Sequence, residues 1–90
     1  MQFDFYVDPD TGLPHIYGHG VTEDEVIELF HNAPLRLRGK AGAYTALGQT
    51  SAGRYLRVIY RKETAGGVFV ITAYNLTGKA LKAYRRRRRR

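Results

Sequence analysis

From Ala43 to Asn75 the chain alternates strand-like segments with turn formers, and this stretch constrains the fold more than any other. Ala43–Gln49, Arg54–Lys62 and Val68–Asn75 carry β-branched, aromatic and aliphatic residues, whereas Ser51–Gly53 and Thr64–Gly67 consist of small turn-forming residues. Strands joined by loops this short run antiparallel, so an antiparallel meander is expected. In the middle segment Leu56, Val58 and Tyr60 fall on one side, and Tyr55, Arg57, Ile59 and Arg61 on the other. The first side is a core face; the second is mixed basic and aromatic. The third segment stays open, because a slip of one residue exchanges Ile71 and Ala73 for Thr72 and Tyr74.

A sheet with one apolar face needs a cover. Thr22 followed by Glu25 reads as a capping box, with Val21 and Val26 placed to staple around it. A helix over Glu23–His31 is therefore expected, with Val26, Ile27, Leu29 and Phe30 as its apolar stripe and Pro34 as its stop. Upstream, Phe3, Phe5 and Val7 alternate with polar neighbours as in a half-buried strand, halted by the turn formers Asp8–Gly12. Between Leu13 and Gly20 the residues conflict: Pro14 can open a helical turn while Gly18 and Gly20 weaken it, so a short irregular helix or loop is expected. Leu35–Leu37 fits a brief strand. Thr77 fits the N-cap of a last helix that turns Leu81 and Tyr84 inward and runs into the terminal arginines. The expected class is α+β, a small antiparallel meander with helices packed on one face.

Ninety residues leave room for one core, so residues 1–84 read as a single domain followed by a polyarginine tail over 85–90. Hydrophobic residues at 43% and charged residues at 26% mark a chain that folds, which excludes wholly disordered and collagen-like classes. With no cysteine, disulfide staples, thiolate metal sites and thiol nucleophiles drop out together, and a cytoplasmic address is the simplest expectation. No apolar run approaches the roughly 20 residues of a membrane span. Asp4 and Asp8 near the start do not fit a signal peptide either. The net charge of +7 looks like a nucleic-acid footprint, yet six of the fifteen basic residues are Arg85–Arg90. The remaining nine basic side chains face eight acidic ones, so the charge belongs mainly to the tail.

The chemistry-bearing residues are few. His15 and His19 have the i, i+4 spacing of a helical metal pair, but nearby glycines disfavour a regular helix and no further ligand accompanies them, so no metal and no cofactor is assigned. His19 reads either as a structural histidine or as a proton carrier. Arginines alternating with an aromatic on the middle strand, namely Arg57 and Arg61 around Tyr55, can grip phosphates and stack a base, or simply form a solvated charged face. The arginine tail, with Arg85 and Arg86 nearest the body, reads either as a solvated segment or as an arm for polyanions.

The order of motifs resembles a known family. His19-Gly20-Val21 leads into a capped acidic helix. A strand from Tyr44 ends in Leu47-Gly48-Gln49-Thr50, Gly53-Arg54-Tyr55-Leu56 follows, and Ile71-Thr72-Ala73 leads on to Tyr84-Arg85. This succession, over roughly residues 3–86, is similar to the BrnT family of bacterial ribonuclease toxins from type II toxin–antitoxin systems. The resemblance implies a RelE-like fold, metal-independent RNA cleavage that inhibits translation, and a cognate antitoxin as protein partner. It also implies departures: Tyr74 stands where such chains usually carry an arginine, and Lys79 and Lys82 stand near the usual place of a glutamate.

If the resemblance holds, the substrate's own 2′-hydroxyl attacks the adjacent phosphorus. His19 then moves the proton, Arg54 and Arg57 stabilise the phosphorane, and Tyr74 orients the nucleotide. Tyr55, Arg61, Arg85 and Arg86 are the expected RNA contacts, and Tyr84 is expected to be a core anchor. The alternative is a non-catalytic nucleic-acid-binding or protein-interaction module of the same fold, with the catalytic arginine replaced by Tyr74.

Overall fold

The turn-rich segments close two hairpins. Thr50 N–H donates to Arg54 O at 2.8 Å and joins β3 (Tyr44–Gln49) to β4 (Tyr55–Lys62); Glu63 N–H donates to Gly67 O at 2.9 Å and joins β4 to β5 (Val68–Asn75). The computed structural model describes residues 1–88, so Arg89 and Arg90 of the tail lie outside the described residues. A fourth antiparallel strand, β2 (Leu35–Arg38), extends the meander along β3, and β1 (Phe3–Phe5) lies parallel to β5 at the opposite edge. The sheet order is β1-β5-β4-β3-β2. Its single parallel pair arises because the chain leaves β1, crosses the sheet through its helices and re-enters at the far edge. The fold is α+β with a mixed five-stranded sheet.

The segment of conflicting signals forms a 3₁₀ turn, His15–His19, ended by Gly20 in the left-handed region at φ 70°. That conformation, which costs glycine little, lets the Gly20 and Val21 N–H groups return to Tyr17 O and Ile16 O before α1 (Glu23–His31) begins. The capping box is present: Thr22 Oγ1 accepts from Glu25 N–H at 3.2 Å, and Glu25 Oε1 accepts from Thr22 N–H at 3.0 Å. Val26, Leu29 and Phe30 of α1, with Ile16 and Val21, bury against Ala46, Leu56, Val58, Tyr60, Val68, Val70 and Ala73. Side chains of this size, fully buried, contribute on the order of 1.5–3 kcal/mol each. Gly48 allows the close approach, since a Cβ there would lie 2.9 Å from Leu29 Cγ.

The third strand resolves its faces by a bulge. Ile59 pairs with Thr72 and Tyr60 with Val70, leaving Ile71 unpaired. The extra residue reverses the alternation, so Val68, Val70 and Ala73 all reach the core.

The helices divide between the two faces of the sheet instead of packing on the one face expected. The 3₁₀ turn and α1 cover the face of Leu56 and Val58, as expected, while α2 (Gly78–Arg88) seats on the opposite face. There Tyr84, only 4% exposed, packs with Leu47 and Leu76 beside half-buried Leu35, Tyr55 and Leu81. The i, i+3 spacing of Leu81 and Tyr84 defines an inward side of α2, but the choice of sheet face belongs to the Leu47 and Tyr55 side chains, which alternate away from α1. Domain and tail share this helix, since Arg85–Arg88 continue α2. Among the described residues no helix is long and apolar enough to cross a membrane.

Candidate nucleic-acid site

The end of β5, the start of β4 and the 3₁₀ turn meet at one corner of the sheet. His19, the last residue of the turn, sets its imidazole edge-on to the Tyr74 ring, with centroids 5.8 Å apart. On the other side His19 packs against His15 at 5.3 Å, and His15 Nδ1 lies 3.7 Å from Asp8 Oδ2. Tyr74 pairs directly with Arg57 across the β4–β5 ladder, which puts the phenol and the guanidinium stem on one face of the sheet. Arg57 makes no side-chain hydrogen bond or ion pair among the described residues. His19, Tyr74 and Arg57 are thus brought together from three separate segments.

Arg54 lies at the same corner but on the α1 side of the sheet. Its Nη1 donates to Glu25 Oε1 at 2.9 Å and to Gly20 O at 2.8 Å, and its Nε donates to Asn75 Oδ1 at 2.9 Å. The resemblance gives Arg54 and Arg57 one shared role; the structure separates them, because a period of two turns residue 54 with Leu56 toward the helix that carries Glu25. Arg54 thereby ties the Gly20 carbonyl, beside His19, to the Asn75 side chain, beside Tyr74. Nη2 alone keeps its donors free among the described residues. Burial raises the Glu25 pKa, but the Thr22 N–H and then the Arg54 guanidinium outweigh it and hold the carboxyl below its ordinary value.

The expected RNA contacts split into two groups. Arg61 sits near the far end of β4, opposite Phe69, where its Nη1 donates to Ala41 O at 2.6 Å and braces the β2–β3 turn. Six residues of strand separate it from Tyr55, about 20 Å at the usual rise, so the two do not share a site. Tyr55 and Arg85 do come together, with the guanidinium carbon 5.8 Å from the ring centroid. They border a cleft of about 450 Å³ whose walls are Asn32, Gln49, Thr50, Tyr55, Tyr84, Arg85 and Arg88. Arg86 is exposed and does not line it. Tyr84 serves as the buried anchor of α2.

Comparison with protein-family models, with curated proteins and with solved structures gives no match. The chemistry of the corner therefore rests on its own residues. Among the described residues no group of three His, Cys, Asp or Glu side chains gathers as a metal set. What the corner presents is an imidazole, a phenol, an uncommitted guanidinium and part of a second one. Such groups can carry protons and neutralise a phosphodiester.

Asn32, Glu25, Asn75 and Arg88 escape a sequence reading of function. Glu25 is legible only as a helix cap, and Asn32 as a residue near a helix end. The second roles of Asn32 and Glu25 arise from residues 17 and 29 positions away along the chain.

Proposed function

We propose that this chain is a metal-independent endoribonuclease of the BrnT kind, the toxin of a bacterial type II pair, acting on RNA in the cytoplasm and restrained by a cognate antitoxin. The observation that carries the reading is the meeting of His19, Tyr74 and Arg57 at one corner of the sheet. In this mechanism His19 takes the proton of the 2′-hydroxyl and the O2′ atom bonds to phosphorus. Arg57, with Nη2 of Arg54, balances the charge on the phosphorane oxygens. The bond from phosphorus to the 5′-oxygen then breaks, and that oxygen takes a proton from water while Tyr74 orients the nucleotide. The products are a 2′,3′-cyclic phosphate and a 5′-hydroxyl. The sheet face that carries Arg57 is left partly open beyond α2 at its β2 edge, where Leu37 is 38% exposed, and that edge is the seat for an inhibitory partner.

A second reading, an RNA-binding or interaction module without catalysis, is favoured by the commitment of Arg54 to Glu25 and by Tyr74 itself. Purified protein incubated with RNA in excess chelator discriminates the two. Fragments ending in a cyclic phosphate, together with growth arrest on expression, support the nuclease. Intact RNA and normal growth reject it and leave the binding module.

A further inference from the structure

The cleft beside α2 takes no part in the chemistry above, yet it has the make-up of a binding site. Its volume of about 450 Å³ lies within the roughly 300–1,000 Å³ typical of small-ligand pockets. Two arginines, Arg85 and Arg88, stand one helical turn apart on its rim, and among the described residues no carboxylate lines it. Tyr55 supplies an aromatic wall. Asn32 donates to Gln49 O at 3.3 Å and Gln49 donates to Gly53 O at 3.2 Å, so each amide spends an N–H on the fold and keeps its side-chain oxygen as an acceptor. Thr50 Oγ1 accepts from Arg54 N–H at 3.1 Å, which holds that wall in place. Acceptors, an aromatic wall and paired guanidiniums match the base N–H groups, the base ring and the phosphates of one nucleotide.

We propose that this cleft is a nucleotide-binding subsite, which seats a base of single-stranded RNA against Tyr55 and its flanking phosphates on Arg85 and Arg88. Tyr55 and Arg57 are two residues apart on one face of β4, about 7 Å at the strand rise. A strand held in the cleft therefore continues toward the His19–Tyr74 corner. Arg88 also donates to Ala33 O, a contact of 3.5 Å that a phosphate would readily replace. The subsite rests on the RNA reading given above and supplies its substrate grip.

The test uses the full chain and a short fluorescent 2′-O-methyl oligoadenylate, which offers base N–H groups and cannot be cleaved through a 2′-hydroxyl. Arg85→Ala/Arg88→Ala is expected to weaken binding at least tenfold more than Lys79→Ala/Lys82→Ala, which removes the same charge from the same helix outside the cleft. Tyr55→Leu is expected to cost about tenfold, the scale of one lost base–aromatic stack. Amide NMR signals of Asn32, Gln49 and Thr50 are expected to shift on titration. Equal losses from the two double variants, or no binding by the wild type, overturns the proposal. Because the probe is inert, loss of the nuclease reading leaves this outcome unaffected: a protein that binds in the cleft yet cuts no RNA keeps the subsite and loses the enzyme.

Discussion

Arg54 Nη1 lies 2.9 Å from Glu25 Oε1, and the pair fastens the start of β4 to the first turn of α1. The same carboxylate oxygen accepts from Thr22 N–H and completes the helix cap. Through Gly20 O and Asn75 Oδ1 the arginine also steadies the residues that directly follow His19 and Tyr74 of the candidate centre. Arg54 is therefore first a positioning residue, and any share it has in charge stabilisation comes through Nη2.

Acid should loosen this corner. The Glu25 carboxyl titrates below its ordinary value of 4.5 in the folded chain, so its ion pair and cap contribute fully above that value. The contribution is lost as pH falls through the lower folded-state value. Urea unfolding across a pH series should show wild type losing stability below about pH 4.5 more steeply than Glu25→Gln. At neutral pH Glu25→Ala should cost about 1–2 kcal/mol, mostly the lost cap, because a pair that is only part-buried and still reached by solvent adds little more. Parallel acid limbs for wild type and Glu25→Gln would contradict the assignment.

Gly48→Ala should destabilise the chain by about 1–3 kcal/mol, because the new methyl would meet Leu29 Cγ at 2.9 Å in a packed core. Leu29→Ala alone should cost about 2–5 kcal/mol. The double variant should lose less than the sum, since the added methyl enters space the leucine leaves. Denaturant titration of the four proteins measures the coupling, and strict additivity would show that the two sites do not touch.

For the nuclease reading, His19→Ala should lower cleavage by about 10²- to 10⁴-fold and flatten its pH profile, as expected for loss of a proton carrier. Arg57→Ala should lower it by about 10²- to 10³-fold with little change in stability. Arg54→Ala should reduce cleavage and thermal stability together, because it releases Glu25, Gly20 and Asn75 at once. Tyr74→Arg should raise activity by restoring the residue usual in the resembled family. A pH profile for His19→Ala that parallels wild type would remove the histidine from the mechanism.

Truncation after Tyr84 should leave the fold standing, since Tyr84 is the anchor that holds α2 against Leu47 and Leu76. RNA binding should lose much of its salt dependence, with the slope for a single strand falling by up to about 4 units if all six arginines meet phosphates. A filter-binding titration across ionic strength reads this directly, and an unchanged slope would place the electrostatic contact elsewhere.

The local signals carry much of the fold. Thr22 and Glu25 mark the start of α1, and the turn residues after Gln49 and Lys62 fix two hairpins, because capping and tight turns depend on residues a few positions apart. The alternation in β4 likewise separates Leu56, Val58 and Tyr60 from Arg57 and Arg61 without help from the rest of the chain. Other decisions are tertiary. The unpaired Ile71 sets which β5 residues reach the core, and nothing within Val68–Asn75 dictates it; the match to β4 and to α1 does. The parallel edge strand β1 and the seat of α2 on the second face depend on partners distant along the chain, Val68 for Phe3 and Leu47 and Tyr55 for Tyr84. The same holds for function: His19 and Arg57 are legible as reactive types, but their meeting at Tyr74, the diversion of Arg54 to Glu25 and the cleft under Arg85 and Arg88 exist only once the sheet is assembled. Side-chain chemistry is written in the residue; proximity is a property of long-range packing, and it decides which of those residues can act together.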